Sequence, residues 1–519
     1  MAKSQGLVRS GLIVSTMTMI SRVLGLARDI ILARVVGDTA AADAFYVAIK
    51  IPNFLRRLFA EGAFAQAFVP VLSEYRENGS KFAVHQFINR MCGWLGASVI
   101  SITVLVVIFA PQVMLIFAPG FWDEPEKFNM ASEMLRITFP YLALISLTGF
   151  AGAILNSYDR FAVPAITPIF LNLSLIACAI FLTPWFEEPA YALAWGILIA
   201  GVIQLIFQLP FLAHLQLLPK PEMTRGDKGV SKVLRLMIPA LFGVSVSQIN
   251  LLLDTVIASF LPGGSVSWLY YSDRLAELPL GVFGIALATV VLPNLSRKHV
   301  RGGIDAFSDT LRWASRLVFA IGFPAAIALI VLAEPLIFTL FGYGELSDFG
   351  VRQSAWALRA YALGLLAFMW IKVLATGFYS RQDTKTPVKY GIVAMIANMV
   401  FNLIFVYLLV DYHLGHAGLA LATAASAWLN AGLLWFGLRR DGAWLSAQQS
   451  MSILPPLLAG CCMASLLVFL QLEFPLFWDG AEFGERASYL ALYVVSGLVC
   501  YFGLVPLLGW RKRHLLAPK

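Results

Sequence analysis

Residues 94–119 read WLGASVISITVLVVIFAPQVMLIFAP, a run of 26 residues without a charged side chain. About 20 apolar residues in a helix are enough to cross the hydrocarbon core of a bilayer. Similar runs recur along the whole 519-residue chain, and only 13% of its residues are charged, against roughly 25% in soluble domains. Strands of a membrane barrel would alternate apolar and polar residues, so the sequence predicts an all-α polytopic membrane protein.

The apolar runs and their polar breaks predict fourteen transmembrane helices. The predicted spans are residues 10–36, 41–73, 86–117, 130–156, 162–183, 189–213, 233–261, 267–295, 310–341, 353–379, 387–411, 416–438, 451–473 and 487–509. An even number puts both termini on one side of the membrane. The loops on that side carry most of the Lys and Arg, whereas GDTAAD and LPGGSVS carry none. By the positive-inside rule, both termini are predicted to be cytoplasmic.

Several other classes of protein are excluded by the sequence. The first apolar run carries Arg22 and Arg28 and lacks a small-residue cleavage site, so it is a predicted span and not a signal peptide. The net charge of +8 is spread between the spans, which argues against nucleic-acid binding. The chain has no phosphate-binding glycine loop, zinc spacing or nucleophile motif, so we expect no enzyme and no cofactor.

An internal duplication organises the predicted spans. TGFYSRQDTKTP after span ten resembles AILNSYDRFAVP after span four, and VVLPNLSRK resembles AFVPVLSEY. The matching residues are Tyr158 and Tyr379, Arg160 and Arg381, Pro164 and Pro387, and Pro70 and Pro293. Six spans per copy give parallel repeats, a plan that predicts alternating access to a site between two bundles. The predicted domains are an N-terminal six-helix bundle (1–218), a cytoplasmic linker (219–231), a C-terminal six-helix bundle (232–440), and two extra helices with a basic tail (441–519).

Charged residues lie inside the apolar sequence of spans one, two and eight. An arginine at mid-bilayer costs roughly 2.5–3.5 kcal/mol on insertion scales, so four of them facing lipid would cost on the order of 10 kcal/mol. They must therefore pair internally or line a water-filled cavity. The basic residues are Arg22, Arg28, Lys50, Arg56, Arg57 and Arg274, and the acidic residues are Asp29, Glu61, Asp273 and Glu277.

Two interpretations of these charges stay open. In the first, each basic residue pairs with a nearby acid: Arg22 with Asp29, Arg57 with Glu61, and Arg274 with Glu277. In the second, the charges form an anion-binding cavity, because spans one and two hold more basic than acidic groups and the arginine fork binds phosphate or carboxylate well. The aromatic residues Trp268, Tyr270 and Tyr271 would line that cavity or belong to an interfacial belt.

A second polar set lies in later spans and predicts a candidate Na⁺ site. Its members are Asp254 in span seven, Asn398 and Asn402 in span eleven, and Thr423 in span twelve. The alternatives are that Asp254 carries a coupling proton, or that these residues form hydrogen bonds between helices. A monovalent cation or the membrane potential is the expected coupling source, since nothing in the chain predicts ATP hydrolysis.

Long strings of this sequence resemble the MurJ (MviN) family of bacterial lipid II flippases, in the multidrug/oligosaccharidyl-lipid/polysaccharide exporter superfamily. The strings are SRVLGLARD (21–29), KIPNFLRRLFAEGAFAQAFVP (50–70), GVSVSQINLLLDTVIASFL (243–261), GSVSWLYYSDRLAELPLGVFGIAL (264–287) and GFYSRQDTKTPVK (377–389). The resemblance covers essentially the whole chain. It implies a fourteen-helix inner-membrane protein that moves lipid II, the undecaprenyl-pyrophosphate-linked peptidoglycan precursor, from the cytoplasmic to the periplasmic leaflet.

The same resemblance implies roles for individual residues. The substrate-binding residues would be Arg22, Arg28, Asp43, Arg56, Ser267 and Arg274. The other charges within the apolar sequence, apart from the resemblance, are secondary cavity candidates: Asp29, Lys50, Arg57, Glu61, Asp273 and Glu277. Spans 13 and 14 would form a groove for the lipid tail. The implied partners are lipid II, the phospholipid bilayer and the peptidoglycan synthesis machinery, without nucleic acid.

Three other functions are weighed against this one. A flippase for another lipid-linked oligosaccharide, such as an O-antigen precursor, is the nearest alternative. A membrane glycosyltransferase would need catalytic carboxylates facing a large periplasmic loop, and no predicted outside loop is long enough. A non-transporting scaffold is disfavoured by the cost of keeping so many charges at membrane depth.

Overall fold

The computed structural model describes residues 2–57, 63–224, 226–284, 291–298, 303–444, 453–474 and 482–510. Within these ranges the regular structure is helical and no β-strand occurs. A helix satisfies its backbone hydrogen bonds internally, which any segment surrounded by lipid requires. The helices up to residue 258 are α1 (Ala2–Val36), α2 (Ala40–Arg56), α3 (Ala63–Asn78), α4 (Lys81–Ile108), α5 (Ala110–Phe117), α6 (Pro125–Thr138), α7 (Tyr141–Ser157), α8 (Ala162–Ala177), α9 (Pro189–His214) and α10 (Lys228–Ala258).

The later helices follow the same pattern of long segments and short connections. They are α11 (Ser265–Pro279), α12 (Gly303–Val331), α13 (Ala333–Phe341), α14 (Asp348–Tyr379), α15 (Lys385–Leu409), α16 (Gly415–Arg440), α17 (Leu454–Glu473) and α18 (Phe483–Leu507). A 3₁₀ turn (Pro119–Asp123) joins α5 to α6, and π-helical turns (Cys178–Leu182 and Leu280–Gly284) extend α8 and α11. Residues 291–298 are also helical.

Ten segments of the described chain are long and apolar enough to cross a membrane. They are Lys81–Ile108, Pro125–Ser157, Ala162–Trp185, Pro189–His214, Gly303–Val331, Asp348–Tyr379, Lys385–Tyr412, Gly415–Arg440, Leu454–Glu473 and Phe483–Leu507. The prediction of an all-α, multi-pass membrane protein is confirmed. The other four predicted spans fall on α1, on α2 and α3, on α10, and on α11 with residues 291–298. The count of fourteen stays a prediction.

Several predicted spans consist of two helices instead of one. Span three breaks at Phe109, before Pro111 in the first turn of α5, and span nine breaks at Leu332. A proline lacks the N–H that would continue the preceding helix, which explains the first break. The two breaks lie 223 residues apart, which is also the spacing of the proline pairs Pro70/Pro293 and Pro164/Pro387.

The ends of α7 and α14 fix the register of the duplication. Asp159 and Gln382, again 223 residues apart, both adopt a left-handed backbone conformation, with φ near 61° and 60°. In each turn the next amide returns to a carbonyl five residues earlier, the pattern of a Schellman motif. The matched tyrosines and arginines of the two sequence copies are 221 residues apart, so they are shifted by two positions relative to the backbone.

By packing, the described chain divides into two units, one of residues 1–267 with 344–346 and one of residues 268–343 with 347–519. The division falls inside α11, whereas the predicted domain boundary lies in the linker 219–231. The difference arises because α10 packs against α3 and α4 and therefore belongs to the first unit. The domain boundaries drawn from the repeat stay a prediction.

An aromatic cluster forms the core of the first unit where α3, α4 and α7 meet. The ring centroid of Phe68 lies 5.2 Å from that of Phe64, 5.6 Å from Phe87 and 5.1 Å from Phe150. All four rings are buried, and Val233 of α10 closes the same cluster. Aromatic pairs at such distances add to the stability gained from burial alone.

A loop from the second repeat packs into the first unit. The amide of Glu345 donates to the carbonyl of Arg34 at 3.2 Å, close to the end of α1. Gly37 and Gly344 both have positive φ, and a Cβ on either one would clash with backbone across this contact. Glycine is therefore required on both sides of the approach.

The core of the second unit joins the last two helices to α12. Tyr501 of α18 donates its hydroxyl to the carbonyl of Ala320 at 2.7 Å. Arg486, in the first turn of α18, stacks its guanidinium on Phe338 at 3.9 Å and donates to the carbonyl of Gly342 at 2.8 Å. These contacts anchor both ends of α18, outside the six helices of the second repeat.

Close packing of α14 against α16 predicts the effect of a single methyl group. A Cβ on Gly364 would lie 2.8 Å from the Ala424 Cα atom, whereas a Cβ on Gly391 of α15 would meet no atom within 4 Å. Gly364→Ala is expected to lower the free energy of unfolding by about 1–3 kcal/mol through overpacking. Gly391→Ala, the matched control, should leave it unchanged or raise it, because alanine favours the helix. Thermal unfolding in detergent checks this, and equal unfolding temperatures for both variants would contradict it.

The N-terminus of α10 is held by an ion pair between Asp227, which lies outside the predicted spans, and Arg90, near the start of span three. Burial alone raises the pKa of the Asp227 carboxyl, but the Val230 amide at 2.9 Å and the Arg90 guanidinium at 2.5 Å both donate to it. Together with the positive charge of Arg90, these hydrogen bonds hold the pKa below its usual value. Asp227 thus acts as the N-cap of α10 and neutralises Arg90.

This lowered pKa predicts how stability depends on pH. Because the folded pKa lies below the unfolded value of about 4, the stabilisation is present above pH 4 and is lost as the pH falls through the folded pKa. Wild type should unfold at a higher temperature than Asp227→Asn at pH 7, and the difference should shrink below about pH 4. A difference that persists unchanged at low pH would show that ionised Asp227 is not its source.

Candidate functional site

Arg28 is held in place on α1 by a neighbour and by a residue of α8. Its Nε and Nη2 atoms donate to the Asp29 carboxylate at 2.9 and 2.6 Å, and its Nη1 atom donates to the Asn172 amide oxygen at 3.0 Å. Asn172 in turn donates to the Ser21 carbonyl at 2.9 Å. The Arg28 side chain is 14% exposed and that of Asp29 is 4% exposed. A guanidinium is therefore fixed in one orientation within an apolar span.

The partner of Asp29 differs from the one expected from spacing. Asp29 follows Arg22 by seven residues, a spacing that predicts a pair between them. The Asp29 carboxylate pairs with Arg28 instead. Arg22 lies half-buried on α1, nearly two turns before Arg28. Asn172 could not be identified from the sequence, because a single amide in an apolar run usually serves helix packing.

Asp43, at the start of α2, is the most enclosed of the charged residues predicted for the site, among those that the structure describes. It is 1% exposed, and its carboxylate pairs with Lys127 Nζ at 3.1 Å. It also accepts from the Gly264 amide at 2.8 Å, the Ser267 amide at 3.0 Å and the Ser267 hydroxyl at 2.7 Å. Asp43 and Ser267, both predicted site residues, are therefore in direct contact, and Asp43 caps the start of α11.

Lys127 is a residue that the sequence analysis missed. It lies in the segment FWDEPEK, which belongs to a mainly acidic loop, yet its side chain is 2% exposed and pairs with Asp43. Lys127, Phe128, Ala131 and Leu135 all lie on the buried face of α6. That helical spacing was visible in the sequence and would have identified Lys127 as an inward-facing residue.

The basic residues of α2 and its C-cap residue Arg57 are partly buried. Lys50, Arg56 and Arg57 all lie near its end, and Arg56 donates to the Asn53 side chain at 3.3 Å. Glu61, the predicted partner of Arg57, lies outside the described residues. The contribution of these four residues to a cavity stays a prediction.

In the second unit, Arg274 pairs with acids of its own helix. Its guanidinium lies 3.3 Å from Glu277 and 3.7 Å from Asp273, and 5.0 Å from the centre of the Tyr270 ring. The pairing of Arg274 with Glu277 expected from their spacing is thus present. The Arg274 side chain is still 30% exposed, so these surface-accessible pairs add little stability.

Two of the three candidate cavity aromatics are packed inside the second unit. Trp268 is 3% exposed with its ring against His416, and Tyr271 is fully buried against Phe341. Neither ring has an open face for a sugar or a peptide in this conformation. Tyr270, half-buried beneath Arg274, is the one of the three that is partly accessible.

The candidate Na⁺ residues of the second unit form hydrogen bonds within α15, within α16 and between these two helices. Asn402 donates to the Asn398 amide oxygen at 3.1 Å, and Asn398 donates to the Ser426 hydroxyl at 3.3 Å. Thr423 donates to the Leu419 carbonyl of its own helix. Asp254 belongs to α10 in the first unit. Among the described residues no cluster of three His, Cys, Asp or Glu is placed to hold a metal ion.

The family model described as Lipid II flippase MurJ matches residues 32–481. The chain belongs to this family. The probable lipid II flippase MurJ of Vibrio cholerae is 48% identical over 522 residues, which cover 99% of this chain and 98% of that protein. Membership in the MurJ family confirms the resemblance and makes the chain a membrane transporter and not an enzyme.

Solved structures agree with this assignment. A lipid II flippase MurJ in an inward closed conformation superposes with a TM-score of 0.79 at 25% identity, covering 96% of this chain and 98% of that one. An inward-facing multidrug resistance transporter of the MATE family, in the MOP superfamily, superposes with a TM-score of 0.66 at 14% identity over 83% of this chain and 98% of that one. The second match shows a common fold alone.

The bridge from Arg28 to α8 predicts a measurable loss on removing Asn172. Asn172→Ala deletes the hydrogen bonds to Arg28 and Ser21, and a bond to a charged group contributes about 1.5–3 kcal/mol. We expect the free energy of unfolding to fall by about 1–3 kcal/mol. Asn78→Ala, at the exposed end of α3, is the matched control. Equal unfolding temperatures for the two variants in detergent would show that the bridge adds no stability.

Proposed function

We propose that this protein moves lipid II from the cytoplasmic to the periplasmic leaflet of the bacterial inner membrane, with both termini in the cytoplasm. Membership in the MurJ family supports the substrate, since the family name and its relatives' names specify lipid II. The observation that carries the chemistry is the guanidinium of Arg28 on α1, a helix that the sequence predicts to span the membrane; Asp29 and Asn172 fix its position. A flippase for another lipid-linked oligosaccharide would need the same chemistry but a different head group.

The anionic groups of the proposed substrate explain why arginines would line the cavity. Lipid II carries a pyrophosphate and peptide carboxylates, and arginine binds such groups through paired hydrogen bonds while remaining charged. In the proposed mechanism Arg22, Arg28, Arg56 and Arg274 bind the head group, and the polyprenyl chain stays in lipid. Spans 13 and 14 would accommodate that chain.

The charge balance of the first two helices supports an anion-binding cavity. Asp43 forms an ion pair with Lys127 of α6. Its negative charge is therefore neutralised by a residue outside α1 and α2. The basic residues of α1 and α2 outnumber their acidic residues. Their combined field therefore stays positive, which favours entry of an anion into a water-filled space.

Transport by alternating access follows from this proposal. An inward-open state binds the head group, closes around it and reopens outward, with the ligand favouring the closed state. The membrane potential is the proposed driver, because it acts directly on a charged cavity and its ligand. A Na⁺ gradient acting through Asp254, Asn398, Asn402 and Thr423 is the alternative driver.

Reconstitution with fluorescent lipid II tests the function. Wild type in liposomes should translocate lipid II. Arg28→Ala should reduce the rate of translocation by about tenfold or more, because a hydrogen bond to a charged group contributes about 1.5–3 kcal/mol and its loss weakens binding at least tenfold. Arg28→Lys should retain an intermediate rate. Arg160→Ala, an exposed arginine outside the predicted cavity, is the matched control.

The same liposomes separate the remaining alternatives. Full translocation by Arg28→Ala would remove that residue from the mechanism, and faster movement of a different lipid-linked oligosaccharide would replace the substrate. An imposed potential that accelerates wild type without Na⁺ supports the proposed driver. Acceleration by a Na⁺ gradient at zero potential would support the ion site instead.

A further inference from the structure

Two contacts fix residues 259–267 within the first unit, one with the connection between α5 and α6 and one with α2. At one end, the Gly120 amide donates to the Ser259 hydroxyl at 3.0 Å, and a Cβ on Gly120 would clash with the Ser259 carbonyl. At the other end, Asp43 accepts three hydrogen bonds from the start of α11. We call this group the latch; it consists of Asp43, Gly120, Lys127, Ser259, Gly264 and Ser267.

Lys127 connects the two ends of the latch. Its ammonium group lies 3.1 Å from Asp43 and 4.3 Å from the centre of the Phe121 ring, in the same turn as Gly120. Glu124 lies 3.7 Å away but is 51% exposed, so it compensates the charge of Lys127 less than buried Asp43 does. The side chain therefore bridges the 3₁₀ turn and the carboxylate that caps α11.

We propose that Lys127 is a positioning residue for transport: its ammonium group holds the Asp43 carboxylate in place against the Gly264 and Ser267 amides, and so keeps the latch closed. This assignment rests on the alternating access proposed above. When this end of the protein opens, the hydrogen bonds to Gly264 and Ser267 break, and the pair of Asp43 with Lys127 persists.

The packing of the helices indicates which contacts persist. Asp43 lies on α2 and Lys127 on α6, and these two helices pack along each other. The hydrogen bonds to Gly264 and Ser267 are made to a loop and the first turn of a helix, which separate with less loss of packing.

Cross-linking across the latch tests the proposal without lipid II. Trp122 and Phe260 are 61% and 64% exposed and adjoin Gly120 and Ser259, so Trp122→Cys with Phe260→Cys reports on closure. The five native cysteines are first replaced by alanine. The rate of cross-linking by a short bis-maleimide should fall roughly tenfold in Lys127→Met, because the latch opens in most molecules. Lys127→Arg should restore it, since charge and hydrogen bonding return.

Two further variants make the result specific. Lys220→Met, the same substitution at an exposed lysine, should cross-link like wild type. Asp43→Asn with Lys127→Met leaves no buried charge and replaces the single variant if that one fails to fold. It should also cross-link slowly, because a neutral amide accepts weaker hydrogen bonds than a carboxylate.

Each outcome supports or overturns the role of Lys127. Slow cross-linking in Lys127→Met with rescue by Lys127→Arg supports it, together with a parallel loss and rescue of lipid II translocation. The role of Lys127 is overturned if Lys127→Met, or the double variant used in its place, cross-links at the wild-type rate. This holds even where lipid II translocation falls. Wild type that cross-links as expected but moves no lipid II would refute the proposed function and leave the latch assignment standing.

Discussion

Burying an ionised side chain without a partner costs several kcal/mol, and this constraint shapes the polar interior of the protein. Asp43 is 1% exposed and Lys127 is 2% exposed, and the charges of the two side chains neutralise each other. Arg28 meets Asp29 and Asn172, and Arg486 stacks between two aromatic rings. The positions of α2, α6 and α8 follow partly from these pairs, because helices carrying complementary charges must approach closely.

The duplication repeats backbone geometry more faithfully than it repeats side chains. Breaks at Phe109 and Leu332 and left-handed turns at Asp159 and Gln382 keep one spacing, whereas the matched tyrosines and arginines do not. The copies also differ in charge. The first carries Arg28 and Asp43, and the ion-pair partners of both residues lie within the first unit. A common scaffold thus carries different chemistry in its two halves.

Much of the fold could be predicted from the sequence, because hydropathy is a local property. Each predicted span coincides with helices of the described chain, and the pair of Arg274 with Glu277 follows from helical spacing. The partners of Arg28 and Asp43 could not be predicted, since they lie 144 and 224 residues away and depend on which helices pack together. Lys127 was missed because a lone lysine among acids resembles a solvated loop, although its helical face is buried. Trp268 and Tyr271 were ambiguous, since aromatic composition does not distinguish a cavity wall from a core.

The loop of Gly344–Leu346 has a consequence for how the protein is made. It packs against the end of α1, so the first unit includes residues that leave the ribosome only after α10 to α13 have been synthesised. The N-terminal unit is therefore finished late, and insertion of the first six spans cannot by itself complete its structure. Biogenesis of the two halves is interleaved, and a chain cut at the linker 219–231 would separate elements that belong to one folded unit.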